Sequence, residues 1–130
     1  MLLLACRFIE QAYKAGRRVH VQAADEASAH ALDETLWAFE PTSFVPHNLA
    51  GEGPTPPPPV QIGWGDGPVR HTDLLVNLCT EVPTALFGRF SYVAEFIPAE
   101  ETAKQHARDR YRFYRDRGYP LRVHPRWPHE

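Results

Sequence analysis

The sequence predicts an α/β fold, a sheet with helices on both faces, and three observations carry that expectation. Segments whose apolar residues recur at helical spacing alternate with short apolar segments of strand length. Two of the latter, "VQIGW" and "DLLVNLC", have the length and composition of strands, the second apolar enough to be buried on both sides. The most regular helical segment, "AEETAKQHARDRYRFYRDRG", directly follows the strand candidate "YVAEFIP".

Taken in order, "MLLLACRFIEQAYKAG" places Cys6, Ile9 and Tyr13 at helical spacing, and Gly16 is a plausible stop. "RRVHVQA" alternates β-branched residues and reads as a strand. "DEASAHALDETLWAF" opens on acids, which the positive end of a helix favours, and puts Leu32, Leu36 and Trp37 on one apolar side before Pro41 ends it. "SFVPHNLAGEG" and the run Pro56–Pro59 then lead into "VQIGW". "GDGPVRHT" is a turn before "DLLVNLC", and "VPTALFGRF" fits a short helix or a loop. In the long helical segment acids occupy the first turn, Arg115 and Arg117 come late, and Gly118 ends it. From about residue 119, "YPLRVHPRWPHE" reads as an extended tail. The chain opens inside a helix with no strand and no capping residue before it, which leads to the expectation that the sequence begins late.

The 130 residues suit a single domain, and 43% hydrophobic residues suffice for one core. No apolar run approaches the roughly 18 residues of a membrane-spanning helix. "MLLLAC" is too short for a signal-peptide core and has no basic leader, so a cytoplasmic protein is expected. Cys6 and Cys79 match no metal or redox spacing and read as small core residues. The net charge of −2 conceals an asymmetry. Residues 1–103 hold 6 Lys and Arg against 13 Asp and Glu, a balance of −7, whereas residues 104–130 hold 8 against 3, a balance of +5. A basic end on an acidic body points to a local anionic partner, with a solvated helix face as the plain alternative.

The motifs narrow the chemistry. "GWGDGP" has neither the spacing nor the following helix of a dinucleotide-binding loop and reads as a turn between strands. The seven histidines are scattered, and none forms the paired spacing of a zinc protease, so neither a metal nor a cofactor is expected. Cys79 reads as a thiol in a buried strand rather than a nucleophile. His47, Asn48 and Glu52 are the best catalytic candidates, a histidine general base with a carboxylate to orient it. The same residues suit a rigid turn: Pro46 holds its predecessor extended, and Asn48 and Gly51 accept turn geometry. The structural reading is the stronger, because convergent partners for catalysis are not visible.

The long helix is more informative. Lys104, Arg108, Tyr111 and Arg115 fall at i, i+4, i+7 and i+11, which is one stripe at 3.6 residues per turn. Ala103, Ala107 and Tyr114 form the neighbouring stripe, expected to face the sheet. Three cations flanking an aromatic ring suit a peptide with carboxylates and a hydrophobic side chain, or phosphates with base stacking. Asp109 and Asp116 are expected to lie away from the stripe and leave it unneutralised. Trp37 and Phe44, large aromatics beside a loop, form a second candidate surface.

The strings "LDETLWAFEPTSFVPHNLAGEG", the proline-rich step into "VQIGW", and "EFIPAEETAKQHARDRYRFYRDRGYPL" resemble the chi subunit family of bacterial DNA polymerase III, over roughly residues 4 to 121. The resemblance implies a non-enzymatic protein with a Rossmann-like, mostly parallel sheet. It implies two partners: the psi subunit of the clamp-loader assembly, and the acidic C-terminal tail of single-stranded-DNA-binding protein, which ends in phenylalanine with a free carboxylate. The family's tail-binding lysine, arginine and tyrosine match Lys104, Arg108 and Tyr111, with Arg115 continuing the row. Its psi-binding tryptophan and phenylalanine match Trp37 and Phe44, a surface for which a helicase-type partner competes in some bacteria. Two departures stand out. The family's first strand is absent here, so a gap or an unpaired edge is expected in the sheet. After Leu121 the tail diverges, and no site residue carries over. The alternatives are a small α/β enzyme using the His47/Glu52 loop, and a direct binder of single-stranded nucleic acid using the basic helix with Tyr111, Tyr119 and Trp127.

Overall fold

The computed structural model describes residues 2–39, 45–51, 57–65, 69–79, 81–84, 86–96, 101–118 and 121–124. They form three helices, α1 (Leu2–Lys14), α2 (Glu26–Ala38) and α3 (Glu101–Asp116). Six strands accompany them: β1 (Val19–Ala23), β2 (His47–Leu49), β3 (Val60–Trp64), β4 (Leu74–Asn77), β5 (Tyr92–Phe96) and β6 (Leu121–His124). All strand pairs are parallel, in the order β2-β3-β1-β4-β5-β6. This is the α/β architecture the sequence predicts, and the parallel order is consistent with a Rossmann-like arrangement.

Local chemistry explains the helix boundaries. Asp25 caps α2 by accepting a hydrogen bond from the Ser28 amide at 2.8 Å. That backbone contact also holds the Asp25 carboxyl below its ordinary value. Beyond α1, Gly16 takes φ +86°, and the Arg17 amide donates to the Ala12 carbonyl at 3.0 Å, closing the helix as a left-handed cap does. Arg17 Nη1 and the Arg18 amide both donate to the Asp73 carboxylate, at 2.8 and 3.2 Å. This clasp joins the entrances of β1 and β4.

Residues on alternate sides of the strands define two layers. On one side Val19, Val21, Val60, Ile62, Leu74, Val76, Ala94 and Phe96 pack with Ile9 of α1 and Leu32 and Leu36 of α2. On the other, Leu75 and Val93 pack with Leu86, Phe90 and Tyr114 of α3. This second layer contains far more polar groups. Gln61, His20, Gln22, Asn77 and Glu95 are all buried, and the strand registers His20↔Gln61, Gln22↔Asn77 and Leu75↔Val93 put them on one side of the sheet.

Several expectations require correction. "HNL" at 47–49 is a strand paired in register with Val60–Ile62, not part of a turn. Pairing with β3, a partner remote in sequence, outweighs the local turn preference of Pro46 and Asn48. Within the segment read as an extended tail from about residue 119, Leu121–His124 are extended but paired into the sheet as β6, along β5. Cys79 lies past the end of β4, half-buried, with its thiol donating to the carbonyls of Gln22 at 3.6 Å and Ala23 at 3.3 Å. Cys6 is a core thiol as expected, and burial pushes it up to about 12. The segment "VPTALFGRF" contains one 3-10 turn at Phe87–Arg89. The six described strands run without a gap between neighbours, and β2 and β6 are the outermost of them. Among the described residues no helix is long and apolar enough to cross a membrane.

Candidate binding surfaces on opposite layers

The α3 stripe has the predicted geometry. Tyr111 is 44% exposed, Arg108 and Arg115 are exposed, and Lys104 is half-buried at the border with the buried side. Asp109 pairs with Arg112, off the row, as expected, but Asp116 and the further acid Glu101 reach cations of the row. Arg115 Nη2 lies 3.3 Å from Asp116 Oδ1, and Arg108 Nη1 lies 3.9 Å from Glu101 Oε2. Side-chain length explains this, since a guanidinium can reach an acid that lies off its own stripe on the helix surface. Such exposed pairs contribute only about 0–1 kcal/mol. An incoming carboxylate can therefore replace either acid at little cost.

The buried side of α3 contains a residue that the sequence reading missed. Ala107 and Tyr114 face inward as expected and Ala103 is half-buried, but Arg110 is buried between them, 8% exposed. Its Nε donates to Glu95 Oε1 at 2.8 Å. Tyr114 Oη donates to Glu95 Oε2 at 3.0 Å, and Asn77 Nδ2 donates to the same oxygen at 2.7 Å. The Cys79 amide in turn donates to Asn77 Oδ1 at 3.0 Å. Burial pushes the Glu95 carboxyl above its ordinary value, while Arg110 first, and then these hydrogen bonds, oppose the rise. A signal was present in the sequence: a cation centred in an apolar helical stripe requires a buried acid, and "YVAEF" carries one pointing to the same side.

A hollow of about 330 Å³ borders α3 on the flank opposite the stripe, between Val82 and Thr84 on one side and His106 and Phe113 on the other; Tyr111 does not line it. The Arg117 guanidinium stacks over the Phe113 ring at 3.7 Å beside it.

On the other layer, at the β2 edge, Trp37 near the end of α2 is 57% exposed. Its ring centroid lies 4.8 Å from that of the buried His47. His47 Nδ1 faces the Val45 carbonyl at 2.6 Å, and its Nε2 faces both the carbonyl and the carboxylate of Asp33 at 3.2 Å. Both ring nitrogens are thus engaged by the chain's own oxygens, and the imidazole links β2 to α2 beneath Trp37. Asn48 is likewise committed, accepting from Gln61 Nε2 at 2.9 Å. Phe44 and Glu52, named from the sequence, lie outside the described residues, as do Tyr119 and Trp127. The arrangement favours His47 as a support for an aromatic surface over a general base. Among the described residues no three His, Cys, Asp or Glu side chains gather as a metal site would require.

Comparison with known proteins bears on the family of the chain. The family model described as DNA polymerase III chi subunit, HolC, matches residues 1–122. A Pseudomonas aeruginosa protein named DNA polymerase III subunit chi is 45% identical over 123 residues, covering 95% of this chain and 84% of the relative. Proteins of the same name from Escherichia coli K12 and Haemophilus influenzae are 41% and 36% identical, each over 91% of this chain and over 80% and 82% of their own lengths.

Proposed function

Because this chain belongs to the family of DNA polymerase III chi subunits, we propose that it is a non-catalytic adaptor of the replication machinery with two protein-binding faces. One face, around Trp37 and Phe44, receives the psi subunit of the clamp-loader assembly or a helicase-type competitor. The other, Lys104, Arg108, Tyr111 and Arg115 on α3, receives the acidic C-terminal tail of single-stranded-DNA-binding protein.

The observation that carries the reading is the exposed α3 row, cations on both sides of a half-exposed tyrosine. Guanidinium groups hold carboxylates through directed, charge-assisted hydrogen bonds. Tyr111 offers a ring against which a terminal aromatic side chain packs, with gain in area and little entropy lost. Long-range attraction steers the acidic peptide to the basic end of an otherwise acidic molecule. Trp37 lies in the other layer of the fold, which supports a reading in which the two partners do not compete.

The test is a titration of a fluorescently labelled acidic peptide ending in phenylalanine at several salt concentrations. Affinity is expected to fall with salt, because exposed charges are screened over about 8 Å at physiological strength. Lys104→Ala and Arg108→Ala are each expected to weaken binding several-fold, and Tyr111→Ala by about tenfold or more. Undiminished binding by all three variants rejects this site. Trp37→Ala is expected to lose psi in a pull-down while retaining the peptide. Loss of both together rejects the assignment of separate faces. Naked single-stranded DNA in a gel shift distinguishes the direct nucleic-acid reading.

A further inference from the structure

We propose that Glu95 is the positioning residue of the α3 surface: its buried carboxylate fixes the rotation of the helix and so holds Lys104, Arg108, Tyr111 and Arg115 in one outward row. The inference rests on the peptide-binding reading above and extends it to a residue that no peptide touches.

Among the described residues of α3 only Ala107, Arg110 and Tyr114 are buried. Ala107 is small and permits sliding and rotation. The other two both end on Glu95, Arg110 at 2.8 Å and Tyr114 at 3.0 Å. These residues are four apart, so their side chains leave the helix from one line and converge on the two oxygens of one carboxylate. Two directed bonds to one fixed acceptor oppose rotation in a way that apolar packing alone does not. The carboxylate is itself fixed, since Glu95 is 4% exposed on β5 and accepts from Asn77 of β4 at 2.7 Å.

The functional row lies about a third of a turn around the helix from the Arg110–Tyr114 line. A helix with its side chains has a radius of about 5–6 Å, so a rotation of about 20° moves the row by about 2 Å. That displacement exceeds the tolerance of a hydrogen bond. Three cations and a ring that must meet one peptide together would then meet it in part.

The experiment uses the full chain and the same labelled acidic peptide ending in phenylalanine, titrated over a range of sodium chloride concentrations. Glu95→Gln keeps the side-chain size and removes the charge. Its folded form is expected to bind about tenfold more weakly and with a shallower salt dependence, because fewer cations engage simultaneously. A residue that is merely structural lowers the melting temperature and leaves both quantities of the folded protein unchanged, and that result overturns the proposal. If Glu95→Gln fails to fold by circular dichroism, Tyr114→Phe carries the test. It removes one bond and keeps the ring, and a smaller loss of affinity with the same flattening is expected, whereas wild-type binding overturns the proposal. Amide hydrogen exchange is read on the same proteins without peptide, with faster exchange expected in α3 and none of it in α1 or α2. Failure of the wild type to bind peptide rejects the functional reading, and the exchange data still decide whether Glu95 holds α3; unchanged α3 exchange overturns that too.

Discussion

Replacing Arg110 by methionine isolates the buried ion pair beneath α3. Methionine has nearly the length of the arginine stem, so packing is largely conserved and the main change is the loss of the guanidinium. Glu95 then remains buried with two neutral donors, Asn77 and Tyr114, where it previously also had a cation 2.8 Å away. Removing one partner of such a pair costs about 3–5 kcal/mol, because the remaining charge has lost its compensation and cannot reach water. With an unfolding entropy of about 2.1 cal/mol/K per residue, 130 residues give about 0.27 kcal/mol/K, so a loss of about 4 kcal/mol lowers the melting temperature by about 15 °C. Urea unfolding followed by circular dichroism checks this, with the midpoint falling and the slope unchanged. The deficit also has a pH signature. Burial already raises the Glu95 carboxyl, and Arg110 is the main influence opposing that rise. Without Arg110 the native carboxyl binds its proton at pH values where the unfolded chain has released it. Stability of the variant relative to wild type is therefore regained as pH falls from 7.5 towards 5. The double variant Glu95→Gln/Arg110→Met removes the stranded charge and keeps an acceptor for Asn77 or Tyr114, so it is expected to be more stable than the single variant by about 2 kcal/mol. A single variant that loses less than about 1 kcal/mol, or a double variant no better than the single, refutes the reasoning.

Two further perturbations probe the polar layer. Burial depresses His20, so the unfolded chain takes up a proton that the native state refuses; stability is expected to fall as pH drops below about 6.5, with a slope approaching about 1.4 kcal/mol per pH unit, and His20→Gln is expected to flatten thermal melts across pH 5 to 7.5. Gly63→Ala would put a Cβ 2.9 Å from His20 Cε1, whose ring is held by Nε2 donating to Gln22 Oε1 at 2.9 Å, and a loss of about 1–3 kcal/mol in urea unfolding is expected.

Much of the architecture was legible because it rests on local rules. The acidic opening of α2, the glycine beyond α1 and the four- and seven-residue spacing of Lys104, Arg108 and Arg115 depend on residues within about three turns of one another. The family was legible for another reason: long strings such as "SFVPHNLAGEG" are specific even where their structural role is misread. That stretch shows the limit. Proline, asparagine and glycine argued for a turn, whereas pairing with β3 made its centre a strand and placed His47 against Asp33 of α2. The row on α3 was legible as residue types at a spacing, but the acids reaching Arg108 and Arg115 were not, since long side chains are set by rotamer rather than by stripe.

The sequence alone determined the α/β class, the three helices, most of the strands and the outward row on α3, because periodicity and capping act over a few residues. Only the tertiary structure decided which residue holds that row in place. Glu95 and Arg110 are 15 positions apart, and Asn77 is 18 from Glu95. An inward arginine is prohibitively costly until a fold brings it an acid, and that meeting is a property of packed layers rather than of any local segment.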